Sequence, residues 1–258
     1  MIAWHVLLDP AGRPGAENMA IDDALLLEAD RTGAAFLRLY RWDPPCLSLG
    51  RHEPALARYD RARIEALGLD VVRRPTGGRA VWHEHEVTYA VAAPIARFGS
   101  LRDSYRAIHE RLAGALRRLG ADAALAPDAP APGLGAGACF AAPVGGEVLI
   151  GGRKVIGSAQ VRHGSAFLQH GSILLDGSQD VVRHVSREQA AGSRETSLGA
   201  ALDRSVSFDE VATAIVDCWG AELTPSTTKR ESVRASLRPR PSGPRSAPFS
   251  DPAWTWRR

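Results

Sequence analysis

One thiol and one lysine stand fifteen residues apart in the stretch 139–175, CFAAPVGGEVLIGGRKVIGSAQVRHGSAFLQHGSILL. Cys139 follows a Pro/Gly/Ala-rich run, and Lys154 lies between Gly151-Gly152 and Gly157-Ser158. An ammonium near a thiol favours the thiolate, which is the nucleophilic form. A Gly-Gly turn between the β-rich runs 147–150 and 154–156 folds the chain back, so the two groups can meet. On the residues alone, a lone cysteine is more often a small buried apolar residue, and a lone strand lysine is more often solvated. A second stretch, RRPTGGRAVWH at 73–83, adds two adjacent arginines, a Gly pair and a histidine.

The other candidates for chemistry are weaker. His83 and His85 are two apart and would share one face of a strand, but no third ligand has evident spacing, so no metal is expected. The GLGAG piece at 133–137 lacks the spacing of a dinucleotide fingerprint and follows no strand. No Walker A sequence, nucleophile elbow or zincin motif occurs, which argues against P-loop, serine-hydrolase and zinc-protease chemistry.

At 258 residues the chain can bury a sizeable core. Its three cysteines, Cys46, Cys139 and Cys218, are odd in number and far apart, which fits reduced thiols rather than a disulfide frame. Cys46 follows Pro44-Pro45 inside an apolar run and reads as core packing, and Cys218 reads as structural. No apolar run approaches a membrane span and no cleavable leader precedes the first elements, so a cytoplasmic protein without a membrane partner is expected. Eight of the basic residues and two acidic ones fall in 226–258, which makes that segment +6 and the remainder −3 in a chain of net charge +3. The division expected is a catalytic domain at 1–225 and a basic Pro/Ser/Arg-rich segment at 226–258, with Trp254 and Trp256 as its anchors. No pattern in that segment favours nucleic acid, which is not expected as a partner.

The elements that must position these groups can be read in order. Asn18 is expected to cap a helix through MAIDDALLLEAD that ends at Gly33. AAFLRLYRW and CLSLG read as strands, ARYDRARIEALG as a short helix, and DVVRR, RAVWH and EVTYAVAAP as strands joined by tight turns, which implies antiparallel pairing. Ile108, Leu112, Leu116 and Leu119 form one stripe of an amphipathic helix, with His109 beside it as a helix-face residue. The run 121–138 reads as a mobile loop. Ser207 and Glu210 form a capping box for a helix carrying Val211, Ile215 and Trp219.

With RRPTGG-x-AV-x-H at 73–83, GRK-x-x-GSAQ at 152–160 and LQHGSILL at 168–175, the chain resembles the biotin/lipoate protein ligase and octanoyltransferase superfamily. Weaker agreement runs from NMAIDDALLL through RLYRWDPPCLSLGR to DPAWTWRR. The resemblance implies an α+β catalytic domain, a mixed and mostly antiparallel sheet with packed helices, holding an acyl chain. It implies that Gly77, Gly78, Gly157 and Ser158 line a narrow slot, that Arg73, Arg74 and His83 stand at its polar mouth, and that Gln160, His170 and Gly171 shape it.

Members that ligate free lipoate tend to carry a third glycine after the Gly pair and a downstream Asn, where this chain has Arg79 and HEHEVTY. Cys139 and Lys154 are instead similar to the pair of the octanoyltransferases that acylate a cysteine. VGG at 144–146 stands where that subgroup usually has bulkier aromatic residues. The resemblance therefore implies transfer of an octanoyl group from acyl carrier protein through a Cys139 thioester to a lysine of a lipoyl-domain protein, such as glycine cleavage H protein or a dehydrogenase E2 subunit. The backbone amides of Gly157 and Ser158 would serve as oxyanion donors, and no cofactor would be needed. The alternatives are an ATP- and magnesium-dependent lipoate ligase and a carrier-protein-binding module without chemistry.

Overall fold

A computed structural model of the chain describes residues 4–127, 145–187, 195–220 and 249–257. The chain runs β1 (Trp4–Arg13), α1 (Gly15–Thr32), β2 (Ala35–Trp42), β3 (Cys46–Leu49), α2 (Ala55–Arg58), α3 (Arg61–Ala66), β4 (Asp70–Arg73), β5 (Val81–His83) and β6 (Glu86–Pro94). It continues through α4 (Leu101–Arg118), β7 (Ala123–Leu125), β8 (Val148–Ile150), β9 (Arg153–Lys154), β10 (Ile156–His163), β11 (Ala166–Leu174), α5 (Asp180–Val185), α6 (Leu198–Leu202), α7 (Phe208–Trp219) and α8 (Pro252–Thr255).

The main sheet has the order β1-β2-β6-β11-β10. Only β1 and β2, joined across α1, pair in parallel; the other three pairs are antiparallel. Two three-stranded sheets complete the fold, β4-β3-β5 with one parallel pair, and β7-β8-β9 wholly antiparallel. The expected mixed, mostly antiparallel α+β architecture is therefore present. β1 escapes a reading of the sequence because Pro10 and Gly12 resemble turn punctuation. It is an edge strand, where a residue without an N–H is tolerated.

Strand alternation assigns the two faces of the main sheet. Leu37 and Leu39 of β2, Val87, Tyr89 and Val91 of β6, and Phe167 of β11 pack with Ile108, Leu112 and Leu116 of α4 and with Val211, Ile215 and Trp219 of α7. Phe36, Tyr40, Ala90, Ala92 and Leu168 face the other way, onto Met19, Leu25, Leu26 and Ala29 of α1. Each fully buried Leu or Phe here stabilises the fold by roughly 1.5–3 kcal/mol. Both helix stripes read from the sequence thus bury on the same face, and the Ser207/Glu210 capping box is formed. Because α1 covers the second face, Arg38, which alternates with the leucines of β2, is buried too, at 1% exposure.

Several boundaries differ from expectation. α1 starts after Pro14, so Asn18 lies inside it and its side-chain amide instead clamps the carbonyls of Arg13 and Arg41. The helix expected over 57–68 is instead the end of one helix and the whole of a second, since Asp60 caps α3 afresh. β7 occupies the start of the run expected to be a loop; residues 128–138 of that run lie outside the described residues. Gly151 and Gly152, at φ +56° and +74°, turn β8 back onto β9 as expected, pairing Leu149 with Lys154.

The end of the chain docks on the domain. Arg73 donates to the carbonyls of Trp254 and Thr255, at 3.1 and 3.0 Å, and Trp254 Nε1 donates to Arg73 O. Trp254 therefore anchors residues 249–257, while 226–248 lie outside the described residues. No helix among the described residues is long and apolar enough to cross a membrane.

Candidate active site

A cleft opens between α1, β2, the 74–83 segment and the β10–β11 hairpin. Met19, Tyr40, Trp42 and Val81 supply apolar wall; Arg74, His83, Ser158 and His170 supply polar groups. Two glycines keep it narrow. A Cβ on Gly171 would stand 2.4 Å from Gly157 O and 2.6 Å from Ser158 Oγ, so β10 and β11 can lie this close only without one. Gly78, at φ +88°, turns the 74–81 loop over the opening and faces Ala159 of β10.

Three buried networks hold the polar wall. In the first, His83 Nδ1–H donates to Glu86 Oε1 at 2.8 Å, its Nε2 lies 2.6 Å from Ser48 Oγ, and its ring stacks on Trp42 at 4.0 Å. Ser172 donates to the second Glu86 oxygen at 2.7 Å. The terminal nitrogens of Arg74 spend their four N–H bonds on Ser48 O, Ser48 Oγ, Gly77 O and Arg79 O.

The second network centres on Asp22, which accepts from Arg38 Nη1, Tyr40 OH and His170 Nδ1–H, each at 2.9 Å. Burial works against this carboxylate, but His170 and Arg38 outweigh it and hold the carboxyl below its ordinary range. Burial lowers the His170 imidazole, which is therefore neutral, so its Nε2 accepts from Thr76 at 2.7 Å.

The third network lies behind Ser158. Its Oγ is 2.7 Å from Tyr89 OH and 2.8 Å from His109 Nε2, and His109 Nδ1 is 2.7 Å from Gly146 O. Burial lowers His109 to about 4 and the charge of Lys154 adds to this. Lys154 itself is 2% exposed and pairs with Glu147 at 2.6 Å. It is not among the described residues that line the cleft.

Of the residues picked from the sequence, Arg74, His83, Gly157, Ser158, His170 and Gly171 line the cleft. Gly78 borders it, and Gly77 contributes a carbonyl to Arg74. Gln160 is set back, bonding Ser104 and Gln169. Arg73 departs from expectation: it follows Val72 and precedes Arg74, so its side chain takes the opposite face and binds the carbonyls of Gly50, Glu53 and the chain end. His85 is exposed in the turn after β5, so it does not share a face with His83. Cys139 lies outside the described residues. The sequence did not single out Asp22, Glu86 and Glu147, and it read His109 as a helix-face residue, whereas the ring is fully buried and bonded to Ser158 and Gly146. All four are polar and buried among apolar elements, and the Asp22 position inside an otherwise apolar helix stripe was the one visible signal.

Comparison with known proteins adds a lineage to this geometry. Residues 14–220 match the lipoyl protein ligase A/B catalytic domain. The octanoyltransferase LipM of Carboxydothermus hydrogenoformans is 43% identical over 199 residues, 76% of this chain and 73% of that protein. The octanoyltransferase LipM of Kyrpidia tusciae is 38% identical over 250 residues, 93% of this chain and 90% of that one. Among solved structures, a lipoate-protein ligase A bound with ATP superposes with a TM-score of 0.74 at 22% identity over 92% of both chains. Protein Ta0514 of T. acidophilum with bound lipoic acid gives the same score and identity over 99% of both. At such identities the likeness to the solved structures is one of fold.

Proposed function

The chain belongs to the lipoyl protein ligase A/B catalytic domain family, and from that premise we propose that it is an octanoyltransferase of lipoate biosynthesis that works through a cysteine thioester. The donor is octanoyl acyl carrier protein and the acceptor is a lysine of a lipoyl-domain protein. Cys139 thiolate attacks the thioester carbonyl and the carrier leaves as its thiolate; the neutral acceptor amine then attacks the enzyme thioester, the C–S bond breaks, and the proton that the amine loses ends on the departing Cys139 sulfur.

The observation that carries this reading is the buried lysine. Lys154 keeps its ammonium out of water against Glu147 and close enough to His109 to act on it, and a positive charge held there favours a thiolate nearby. The cleft supports a thioester over an adenylate as the activated species. The four terminal N–H groups of Arg74 are taken by protein acceptors, Arg73 faces away, and the Glu86 carboxylate backs His83, so a nucleotide phosphate would have to displace bonds already made. A thioester is already activated, so neither ATP nor a metal enters the proposed reaction.

With octanoyl acyl carrier protein and an unmodified lipoyl domain as the sole substrates, the purified protein is expected to octanoylate the acceptor lysine without ATP. Modification that requires ATP, magnesium and free acid would return the chain to the ligase reading, and an inert protein under both conditions to a carrier-binding module.

A further inference from the structure

His109 is a fully buried histidine bonded to a pocket hydroxyl, and the transfer described above leaves it without a role. The hydrogen positions around it follow from the ends of the chain of bonds. Gly146 O can only accept, so His109 Nδ1 carries the hydrogen between them, at 2.7 Å. A neutral imidazole then has a bare Nε2. At 2.8 Å one hydrogen must lie between Nε2 and Ser158 Oγ, and it is the serine's. From the other end, Gln169 Nε2 donates to Tyr89 OH at 3.0 Å, and Tyr89 O–H donates in turn to Ser158 Oγ at 2.7 Å. Ser158 thus points its proton away from the cleft that it lines and turns a lone pair toward it.

We infer that Ser158 and His109 form a proton relay for the acceptor amine. The inference rests on the transfer reaction proposed above. As the amine nitrogen bonds to the thioester carbon, one N–H proton passes to Ser158 Oγ while the Ser158 proton passes to His109 Nε2. When the C–S bond breaks, the imidazolium returns its proton through Ser158 to the departing sulfur, so the products are an amide and a thiol. Ser158 touches the reacting nitrogen, and His109 acts through it. The groups facing His109 suit a proton held only in transit. The Tyr105 ring lies 4.2 Å away on its own helix, Tyr89 comes from β6, and the ammonium of Lys154 on β9 repels a second positive charge, with Glu147 beside that ammonium.

The test uses octanoyl-enzyme prepared from carrier protein, followed through a single discharge to a lipoyl domain. His109→Gln and Ser158→Ala are expected to slow discharge about 100-fold, the lower end for a positioned base. Ser158→Thr, which keeps the hydroxyl, should recover most of the rate. Hydroxylamine, largely unprotonated near neutral pH, should discharge wild type and His109→Gln within a few-fold of each other, an outcome that general damage to the fold would not produce. Equal discharge to the lipoyl domain by wild type and His109→Gln would overturn the relay alone. Failure of wild type to form the octanoyl-enzyme would overturn the relay together with the reading it rests on.

Discussion

Cys139→Ser is expected to lower octanoyl transfer by on the order of 10³-fold or more, the scale of removing a nucleophile from an acting unit, while the thermal transition stays where it was. The reason is the acidity of the attacking group. A thiol ionises several pH units below an alcohol, so near neutral pH only the cysteine can supply the anionic nucleophile that the proposed reaction needs. Steady-state transfer from octanoyl acyl carrier protein to a lipoyl domain reads the effect directly. Near-wild-type turnover in the variant would mean that the thiol is dispensable.

The second large effect is on stability. Asp22→Ala is expected to destabilise the fold by about 3–5 kcal/mol, the usual cost of breaking a buried ion pair by removing one partner. Arg38 would remain at 1% exposure with only the more exposed Asp9 as a charged partner, and the Tyr40 hydroxyl and His170 Nδ1–H would lose their acceptor. For a chain of this size that loss lowers the melting temperature by roughly 10 °C, measurable by calorimetry. The same change frees the His170 ring, which lines the cleft, so residual activity should also fall. A melting temperature within 2 °C or so of wild type would show that the Arg38–Asp22 pair is not what holds α1 to β2.

These two residues mark what a sequence can disclose and what it cannot. Periodicity located α4 and α7 because each buries one regular face, a continuous apolar run located β6, which is buried on both, and the Gly151-Gly152 turn and the Ser207/Glu210 box are local devices read from adjacent residues. The motif residues Arg74, His83, Ser158 and His170 fall on one cleft although they come from four separate strands or loops. What the sequence hides are partnerships between distant elements. Arg38 and Asp22 are sixteen residues apart, His109 and Ser158 forty-nine, and each pair meets only when the fold brings two elements together. A polar residue beside an apolar stripe looks solvated until the element that covers it is known. Arg73 is a different case, since strand alternation already forbids two neighbouring arginines from facing one pocket; the shared motif obscured a geometric rule.

The proposal's central claim is a covalent octanoyl-enzyme, and the mass of the intact protein tests it most directly. After incubation with octanoyl acyl carrier protein and no ATP, the wild-type chain is expected to gain the mass of one octanoyl group, at Cys139 and sensitive to hydroxylamine, and the Cys139→Ser variant to gain none. An unmodified wild-type protein that nevertheless transfers octanoyl groups, or an adduct that persists in Cys139→Ser, would contradict it.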